Sequence, residues 1–288
     1  MKRKVSRILA LLFALVMAMS MSLTVFAMDG HEMYLSPAAG TSYTTMVSSG
    51  TTSVSLEVDF SAYNNGNYYT TGFDSTTQAE SVSWMVTNNA DGLISGDVSV
   101  SSGVVGSLTT SKGTVTLNTG VSGVAIVHAA YNGFTLDLVI ARDAAVVTSE
   151  AVAADVYVVD ASSDEADIIV DDESVSVYAP STGRSSGLLT GKSAAFQNLP
   201  TVMETLGALR RSGSLSSVQL SADGSYVSEI DDNYYWGYAV YTPDGALLDL
   251  SQNISASILT LPANGYTVVW KCGVWSFAST LSTEIASW

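Results

Sequence analysis

The sequence contains one dense run of aromatic side chains. Tyr234, Tyr235, Trp236, Tyr238 and Tyr241 all fall within eight residues. In a strand, successive side chains point to opposite faces, which places Trp236 and Tyr238 on one face and Tyr235 and Tyr241 on the other. Rings with polar tips suit flat ligands, sugars and protein interfaces. These five residues are our candidate ligand-binding residues; the alternative is that some, Trp236 above all, only pack in the core.

A second group of tyrosines occurs early in the chain. Tyr63, Tyr68 and Tyr69 lie in a segment rich in Asn and Gly, away from any apolar strand. We expect a loop there, with the three rings exposed as a possible second contact patch.

Two motifs in the middle of the chain suggest catalysis but lack the residues that catalysis requires. The segment from Gly183 to Gly187 matches G-x-S-x-G, which needs a strand before it, a helix after it and a later histidine. Both histidines, His31 and His128, come earlier, so the base of a catalytic triad is missing. The segment from Gly187 to Ser193 is one residue too short between its glycines for a phosphate loop. We therefore predict no catalytic residues and no enzymatic activity.

The sequence predicts no metal site and no cofactor. Two histidines about a hundred residues apart and a single cysteine, Cys272, do not form a zinc cluster. Cys272 lies in an apolar run and is expected to be a buried, unreactive thiol. Eight acidic residues between 155 and 173 could attract calcium, but their spacing matches no EF-hand loop. We interpret them as a solvated strand edge, and calcium there has no motif to support it.

The elements that position these residues are mainly strands. Alternating apolar residues such as Val54, Leu56 and Val58 recur up to about residue 141, with the period of two that half-buried strands require. Asn132-Gly133 between two such runs predicts a hairpin turn. Short strands separated by Gly, Asn and Ser favour a β-sandwich in the first half.

The second half is predicted to combine strands with one helix. Thr201-x-x-Glu204 matches a capping box, Val202, Leu206 and Leu209 share one helical face, and Gly213 ends the pattern. Strands are expected at the ranges 218–220, 226–230, 236–241, 246–250, 258–261 and 267–272. The fold class is therefore mainly β: a sandwich followed by an α+β domain with one main helix.

Four motifs in the first half occur in a fixed order: Ser81-Val82-Ser83-Trp84, Asp97-Val98-Ser99-Val100, Gly113-Thr114-Val115-Thr116-Leu117 and Gly123-Val124-Ala125-Ile126-Val127. With the apolar strand that follows, they resemble the bacterial Ig-like domains (group 2 type) that are common in surface adhesins. The resemblance covers roughly residues 45 to 141. It implies a spacer or adhesion module with Trp84 in its core and no catalytic residues.

Four further motifs follow in the second half: the segments 199–206 (LPTVMETL), 224–230 (GSYVSEI), 236–240 (WGYAV) and 264–270 (NGYTVVW). Over roughly residues 154 to 277 they resemble a domain of unknown function similar to the C-terminal β-domain of transcobalamin and intrinsic factor. The resemblance implies a β-grasp-like fold, a mixed sheet curled around one helix. In the vitamin carriers this domain closes over cobalamin together with a helical barrel, and no stretch of this chain is predicted to form such a barrel.

The start of the chain is typical of an exported protein. Basic residues up to Arg7 precede an apolar stretch from Ile8 to Met19, and Val25-Phe26-Ala27 forms a small-x-small cleavage site. We expect a signal peptide over residues 1–27; a membrane span is the competing interpretation, but the stretch is shorter than the roughly 20 residues that a span needs.

Charge and cysteine content limit the partners. Without residues 1–27 the chain keeps seven of its 11 basic and all 27 acidic residues, a net charge of −20. That charge repels nucleic acid and anionic lipid, and favours solubility, a cationic partner or loosely held divalent cations. One cysteine allows no intrachain disulfide, which fits a bacterial secreted protein better than an animal one.

These observations lead to two functional hypotheses. The first is a secreted bacterial binding or adhesion protein that contacts an unknown surface protein, glycan or small molecule. The alternative is an extracellular carrier of a corrinoid or other flat ligand. The predicted organisation is a signal peptide at 1–27, an Ig-like domain at 28–147, a linker at 148–153 and a transcobalamin-C-terminal-like domain at 154–288.

Overall fold

The structure is a computed structural model that describes residues 32–64, 67–163, 166–248, 254–273 and 276–288. The predicted signal peptide at 1–27, His31, Asp164 and Glu165 lie outside the described residues. As the alternating patterns predict, the fold is mainly β. The strands of the first half are β1 (Glu32–Pro37), β2 (Thr44–Val47), β3 (Ser53–Asn64), β4 (Asn67–Thr70), β5 (Ser83–Asn88), β6 (Ile94–Val105), β7 (Leu108–Leu117), β8 (Gly123–Tyr131) and β9 (Phe134–Arg142).

The second half contains seven strands, and three short α-helices occur along the described chain. The strands are β10 (Val152–Asp160), β11 (Asp167–Val177), β12 (Val218–Leu220), β13 (Val227–Ile230), β14 (Asn233–Tyr234), β15 (Trp236–Tyr241) and β16 (Tyr266–Cys272). The helices are α1 (Thr76–Glu80), α2 (Glu204–Ser212) and α3 (Leu281–Ile285).

The first half is a sandwich of two sheets. One sheet has the order β1-β3-β7-β6, with β4 paired to β3, and the other has the order β2-β9-β8-β5. Their inner faces share one apolar cluster, to which Val54, Leu56 and Val58 contribute as the alternation predicts. Trp84 is buried in this cluster, and its Nε1 donates to Ser111 Oγ at 2.9 Å.

The hairpin predicted at Asn132-Gly133 is confirmed. Tyr131 pairs with Phe134 across the turn, and Asn132 and Gly133 have φ values of 49° and 83°. A two-residue turn with positive φ at both positions matches the right-handed twist of its strands, and Asn and Gly tolerate that conformation best.

The second half is built on a mixed sheet with the order β11-β10-β16-β15. β10 runs parallel to β16 and antiparallel to β11, while β15 is antiparallel to β16. Helix α2 covers one face of this sheet and buries Leu206 and Leu209 in the largest apolar cluster. A small sheet, β12-β13-β14, stands beside it. One principal helix on a mixed sheet is the arrangement expected for this half.

The start of helix α2 differs from the predicted capping box. The N-cap residue is Met203, without a side-chain cap, and the Thr201 hydroxyl is buried without a hydrogen-bond partner. The Glu204 carboxylate accepts from Ser186 Oγ at 2.9 Å and Leu189 N at 3.1 Å. In a capping box the Glu204 carboxylate would bond to Thr201. Here it bonds instead to the loop that precedes the helix. Gly213 ends the helix with φ 91°, as expected.

Three other sequence expectations are corrected. Residues 258–261 contain an isolated bridge between Thr201 and Thr260, where a strand was predicted, because apolar residues bury equally well outside a sheet. Of the strand predicted at 246–250, Ala246 and Leu247 form isolated bridges to Thr280 and Tyr241, and residues 249 and 250 lie outside the described part. The segment with Tyr63 and Tyr68, expected as a loop, pairs as β3 and β4. Tyr69 is exposed, whereas the side chains of Tyr63 and Tyr68 lie outside the described part.

The two halves are joined by apolar packing and by one carboxylate. Val124, Ile126 and Val139, on the outer face of the β2-β9-β8-β5 sheet, belong to the apolar cluster of the second half. Asp143, directly after β9, accepts from Gln197 N at 2.7 Å and Asn198 N at 3.0 Å. The sandwich is therefore held against the loop that leads into helix α2.

Candidate functional site

A concave site in the second half collects most of the candidate aromatic residues. We call it the aromatic cleft. Its volume is about 760 Å³, and it lies between β13, β14, β15 and the segment 254–256. Its lining residues are Met203, Ser225, Tyr226, Val227, Ser228, Tyr234, Tyr235, Trp236, Gly237, Tyr238, Ile254, Ser255, Ala256, Trp270 and Phe277.

Strand β15 forms the floor of the aromatic cleft. Trp236, Tyr238 and Val240 alternate toward the cluster beneath helix α2, as the period of two predicts. Trp270 of β16 pairs with Tyr238, and their ring centroids are 5.4 Å apart with planes tilted by 36°. Two strands adjacent in space but about 30 residues apart in sequence thus form one aromatic surface.

The polar tips of the floor residues are already bonded within the protein. Trp236 Nε1 donates to Asn233 O at 2.7 Å, and Trp270 Nε1 donates to Thr205 Oγ1 at 3.1 Å. The Tyr238 hydroxyl donates to Ile254 O. Burial raises the pKa of Tyr238, because ionisation would place a charge in an apolar environment, so the phenol remains a donor. The floor therefore offers ring surface rather than free hydrogen-bonding groups.

Three exposed tyrosines surround the mouth of the aromatic cleft. The exposed fractions of Tyr226, Tyr234 and Tyr235 are 61%, 56% and 76%. Glu229 is the cross-strand partner of Tyr234 and raises the pKa of that phenol, because a nearby negative charge opposes its ionisation and the phenol donates a hydrogen bond to the carboxylate. Exposed rings beside a buried aromatic floor are available to a ligand.

The backbone at this mouth is unusual. Asp231, Asp232 and Tyr235 have φ values of 43°, 68° and 66°, three of the five positive values among the described non-glycine residues. The Asp231 carboxylate holds the turn by accepting from Ser217 N at 2.6 Å and Ser216 N at 3.2 Å. Aspartate tolerates this conformation, but tyrosine adopts it rarely. Backbone strain of this kind clusters at binding sites.

The structure brings four of the five predicted residues together and separates the fifth. Tyr234, Tyr235, Trp236 and Tyr238 line the aromatic cleft, but Tyr241 is fully buried on the opposite face of the sheet. There its hydroxyl donates to Ala278 O at 3.0 Å. Tyr241 is therefore removed from the candidate ligand residues. Tyr235 and Tyr241 do not point to the same face, although strand alternation predicted that they would. Tyr235 precedes β15 and lies at a positive φ, where strand alternation does not apply.

Three aromatic residues of the cleft were not among the candidates. The sequence predicts strands that contain Tyr226 and Trp270, and it predicts no element at Phe277. Alternation in β16 could have placed Trp270 on a buried face. Its contact with Tyr238, however, depends on the pairing of β15 with β16, which the local sequence does not specify.

The described lining of the aromatic cleft consists of aromatic, aliphatic, methionine, serine and glycine residues. Among its described lining residues there is no acid, base or cysteine. Ser255 Oγ is within hydrogen-bonding distance of Ser225 O and Ser257 Oγ, so no base activates it. In the described part of the chain, no three His, Cys, Asp or Glu side chains are grouped in a way that could hold a metal ion.

The other candidate motifs lie elsewhere. Ser185, in the G-R-S-S-G segment, donates to Pro180 O at 3.2 Å, within a loop that follows a short 3-10 helix. Lys192, in the segment that resembles a phosphate loop, donates to the carbonyls of Ser221 and Ala222. These contacts hold the loop in place. His128 bonds to Asp137 at 2.7 Å on the sandwich, in the other half of the chain.

Two further predictions concern acids and the single thiol. The later part of the acidic segment forms β11, an edge strand on which Asp167, Asp171 and Asp172 are exposed, as predicted. Asp155 and Asp160 lie instead on β10, an inner strand of the sheet, and are partly buried. Cys272 is buried, and its thiol donates to Asp160 Oδ1 at 2.9 Å. Burial and the Asp160 carboxylate raise the pKa of Cys272 to about 12, so the thiol stays protonated.

Neither models of known protein families nor the curated proteins give a match to this chain.

None of the helices in the described residues is both long and apolar enough to cross a membrane.

Proposed function

We propose that this is a secreted bacterial binding protein without enzymatic activity, and that the aromatic cleft is its ligand site. The observation that carries this proposal is the composition of the cleft: an aromatic floor with satisfied polar tips and three exposed tyrosines at the mouth. Rings presented in this way bind flat or apolar groups by stacking and dispersion. The export pattern of residues 1–27 supports the extracellular location.

Both sequence resemblances belong to this proposal. The sandwich of β1 to β9 is consistent with an Ig-like module, and the mixed sheet beneath helix α2 is consistent with a transcobalamin-C-terminal-like module. In this organisation the first module is a spacer and the second presents the ligand site. The contacts of Asp143 with the 197–198 backbone would hold the two in a defined orientation.

The cleft favours the carrier hypothesis over adhesion through a flat surface. A concave site of about 760 Å³ has the size of small-molecule sites, which span roughly 300 to 1,000 Å³. A corrinoid or another flat molecule could place one face on Tyr238, which is partly exposed and backed by the buried Trp270 ring. Adhesion to a surface protein or glycan would instead use the exposed tyrosines as a contact rim.

The test is ligand binding by the purified secreted form. The protein is incubated with cobalamins, a small-molecule panel and a glycan array, and binding is followed by visible-band shifts and tryptophan fluorescence. Stoichiometric binding that weakens at least about fivefold in Tyr235→Ala supports the cleft, since one stacked ring contributes about 1 kcal/mol. Tyr43→Ala, which removes a tyrosine that is 59% exposed from the first half, is the matched control.

The same variants can refute the assignment. Binding that persists in Tyr234→Ala and Tyr235→Ala but is lost in Tyr43→Ala or Tyr69→Ala would place the ligand site on the sandwich. Circular dichroism of each variant verifies that the fold is retained.

A further inference from the structure

The charges around the aromatic cleft are predominantly negative. Its described lining carries no charged side chain, and four acids lie within two residues of a lining position: Glu204, Asp223, Glu229 and Asp232. Glu204 is buried and bonded to Ser186 and Leu189. Asp223 accepts from Ser225, which lines the cleft, and Glu229 lies opposite Tyr234 at the mouth. A ligand that enters this site therefore approaches through a negative potential.

The basic groups near the cleft are engaged elsewhere. Lys271 lies behind Phe277, with Nζ 4.6 Å from the ring centroid, but it is paired with Glu284 at 2.6 Å. Lys192 is bonded to two carbonyls beside Asp223. Arg210 and Arg211 of helix α2 donate to Ser186 O and Arg184 O. No described basic side chain is positioned to meet an anionic ligand in the cleft.

The rings themselves favour positive charge. The face of an aromatic ring carries partial negative charge and attracts a cation within about 6 Å of its centre. Tyr226, Tyr234 and Tyr235 place three such rings at the mouth, next to the Glu229 carboxylate. An anion would lose water there without gaining a counter-charge, which disfavours it.

We propose that the ligand of the aromatic cleft is a small organic cation, with an ammonium or guanidinium group at the Tyr234, Tyr235 and Glu229 rim and a flat or apolar body against Tyr238 on the floor. The inference rests on the proposed function of the cleft. The size of the cleft and the negative charge around it favour this ligand over an anionic or macromolecular one.

The test uses three probes with the same ring and a tetrahedral substituent that differs in charge. They are phenyltrimethylammonium, 2-phenyl-2-propanol and benzenesulfonate, titrated into the full secreted chain by calorimetry or ligand-observed NMR. We expect the cation to bind at least about fivefold more tightly than the alcohol, and the sulfonate to bind most weakly. Raising the salt concentration should weaken the binding of the cation and of no other probe.

Two variants assign the effect to the rim. Glu229→Gln keeps a hydrogen-bond acceptor for Tyr234 but removes the charge, so cation affinity should fall at least about threefold while the alcohol is unaffected. Asp97→Asn changes the net charge equally, at an exposed position on the sandwich. It should change neither the cation affinity nor the alcohol affinity.

The outcomes separate this inference from the proposed function. Equal binding of cation and alcohol, or preferred binding of the sulfonate, overturns the cation inference. If that binding still depends on Tyr235, the cleft remains the ligand site. Binding of none of the three probes also rejects the cation inference, and the wider panel then decides the function of the cleft.

Discussion

Lys271 Nζ lies 2.6 Å from Glu284 Oε1, and both side chains are almost completely buried. The pair joins strand β16 to helix α3 on the face of the mixed sheet opposite the aromatic cleft. Glu284 also accepts from Ala278 N and Trp288 Nε1, and Lys271 donates to Ser276 O. This network fixes the C-terminal segment over the apolar cluster that contains Tyr157, Val269 and Tyr241.

Removing one partner of this pair should destabilise the protein strongly. Lys271→Met leaves the Glu284 carboxylate buried without a counter-charge, which costs about 3 to 5 kcal/mol. We expect the free energy of unfolding in urea to fall by that amount. Adding Glu284→Met should recover at least about half of the loss, because no buried charge then remains. A loss below about 1 kcal/mol in Lys271→Met would contradict this role.

The pair should also make stability depend on pH. Burial alone would raise the pKa of Glu284, but hydrogen bonds from Lys271, Ala278 and Trp288 outweigh it, and the pKa lies below its ordinary value. Because the folded pKa is lower than the unfolded one, the carboxylate stabilises the fold above the unfolded value of about 4.5. This contribution is lost as the pH falls through the folded pKa.

The measurement compares urea unfolding of wild type and Glu284→Gln across pH. At neutral pH the variant should be the less stable protein, and the difference should shrink below pH 4.5. A difference that stays constant down to pH 3 would show that the ionised state of Glu284 does not stabilise the fold.

Tyr241→Phe should affect stability and leave ligand binding unchanged. The substitution removes the hydroxyl that donates to Ala278 O and Glu284 Oε2, a loss of about 1 to 2 kcal/mol. Thermal and urea unfolding measure the loss. Tyr43→Phe, at an exposed position, is the control and should change neither stability nor ligand binding. Weakened binding in Tyr241→Phe would return this residue to the ligand site.

Cys272 should be unreactive in the native protein. Its thiol is buried beside Asp160 with a pKa raised to about 12, so almost no thiolate forms at pH 8. A thiol reagent such as dithionitrobenzoate should label it only after urea unfolds the chain. Rapid labelling of the folded protein at pH 8 would contradict the buried, protonated state.

Gly113 should not tolerate a side chain. A Cβ atom at this position would lie 2.6 Å from Trp84 Cε3, which is too close for nonbonded carbon atoms. We expect Gly113→Ala to displace Trp84 and to cost about 1 to 3 kcal/mol. Tryptophan fluorescence and unfolding curves test this, with Gly50→Ala, where the surrounding space is open, as the control. An unchanged Trp84 environment would refute the tight contact.

Local sequence patterns were sufficient for much of the fold. The period of two placed Val54, Leu56 and Val58 in the sandwich core, and Asn132-Gly133 marked a hairpin because few other residues accept two successive positive φ values. The spacing of Leu206 and Leu209 identified the helix and its buried face, whereas Val202, assigned to the same face, lies in the turn before the helix. Each of these signals depends only on neighbours along the chain.

The candidate site depended on contacts between distant segments. The aromatic run from Tyr234 to Tyr241 could be recognised from residue types, but alternation alone did not show that Tyr241 is buried beneath the C-terminal segment. That burial requires helix α3 to pack on the opposite face of the sheet. The pairing of β15 with β16 brings Trp270 to Tyr238, and the turn at Asp231 and Asp232 directs Tyr234 and Tyr235 to the mouth.

The sequence by itself determined the mainly β fold class, the position of the principal helix and the residues with aromatic binding potential. Residue type and period determine these locally, through side-chain burial and allowed backbone angles. Only the tertiary structure decided which rings share a cleft, that Glu229 lies opposite Tyr234 at its mouth, and that Glu204 bonds to the preceding loop rather than capping its own helix. Those outcomes follow from strand pairing and packing between residues far apart in the chain.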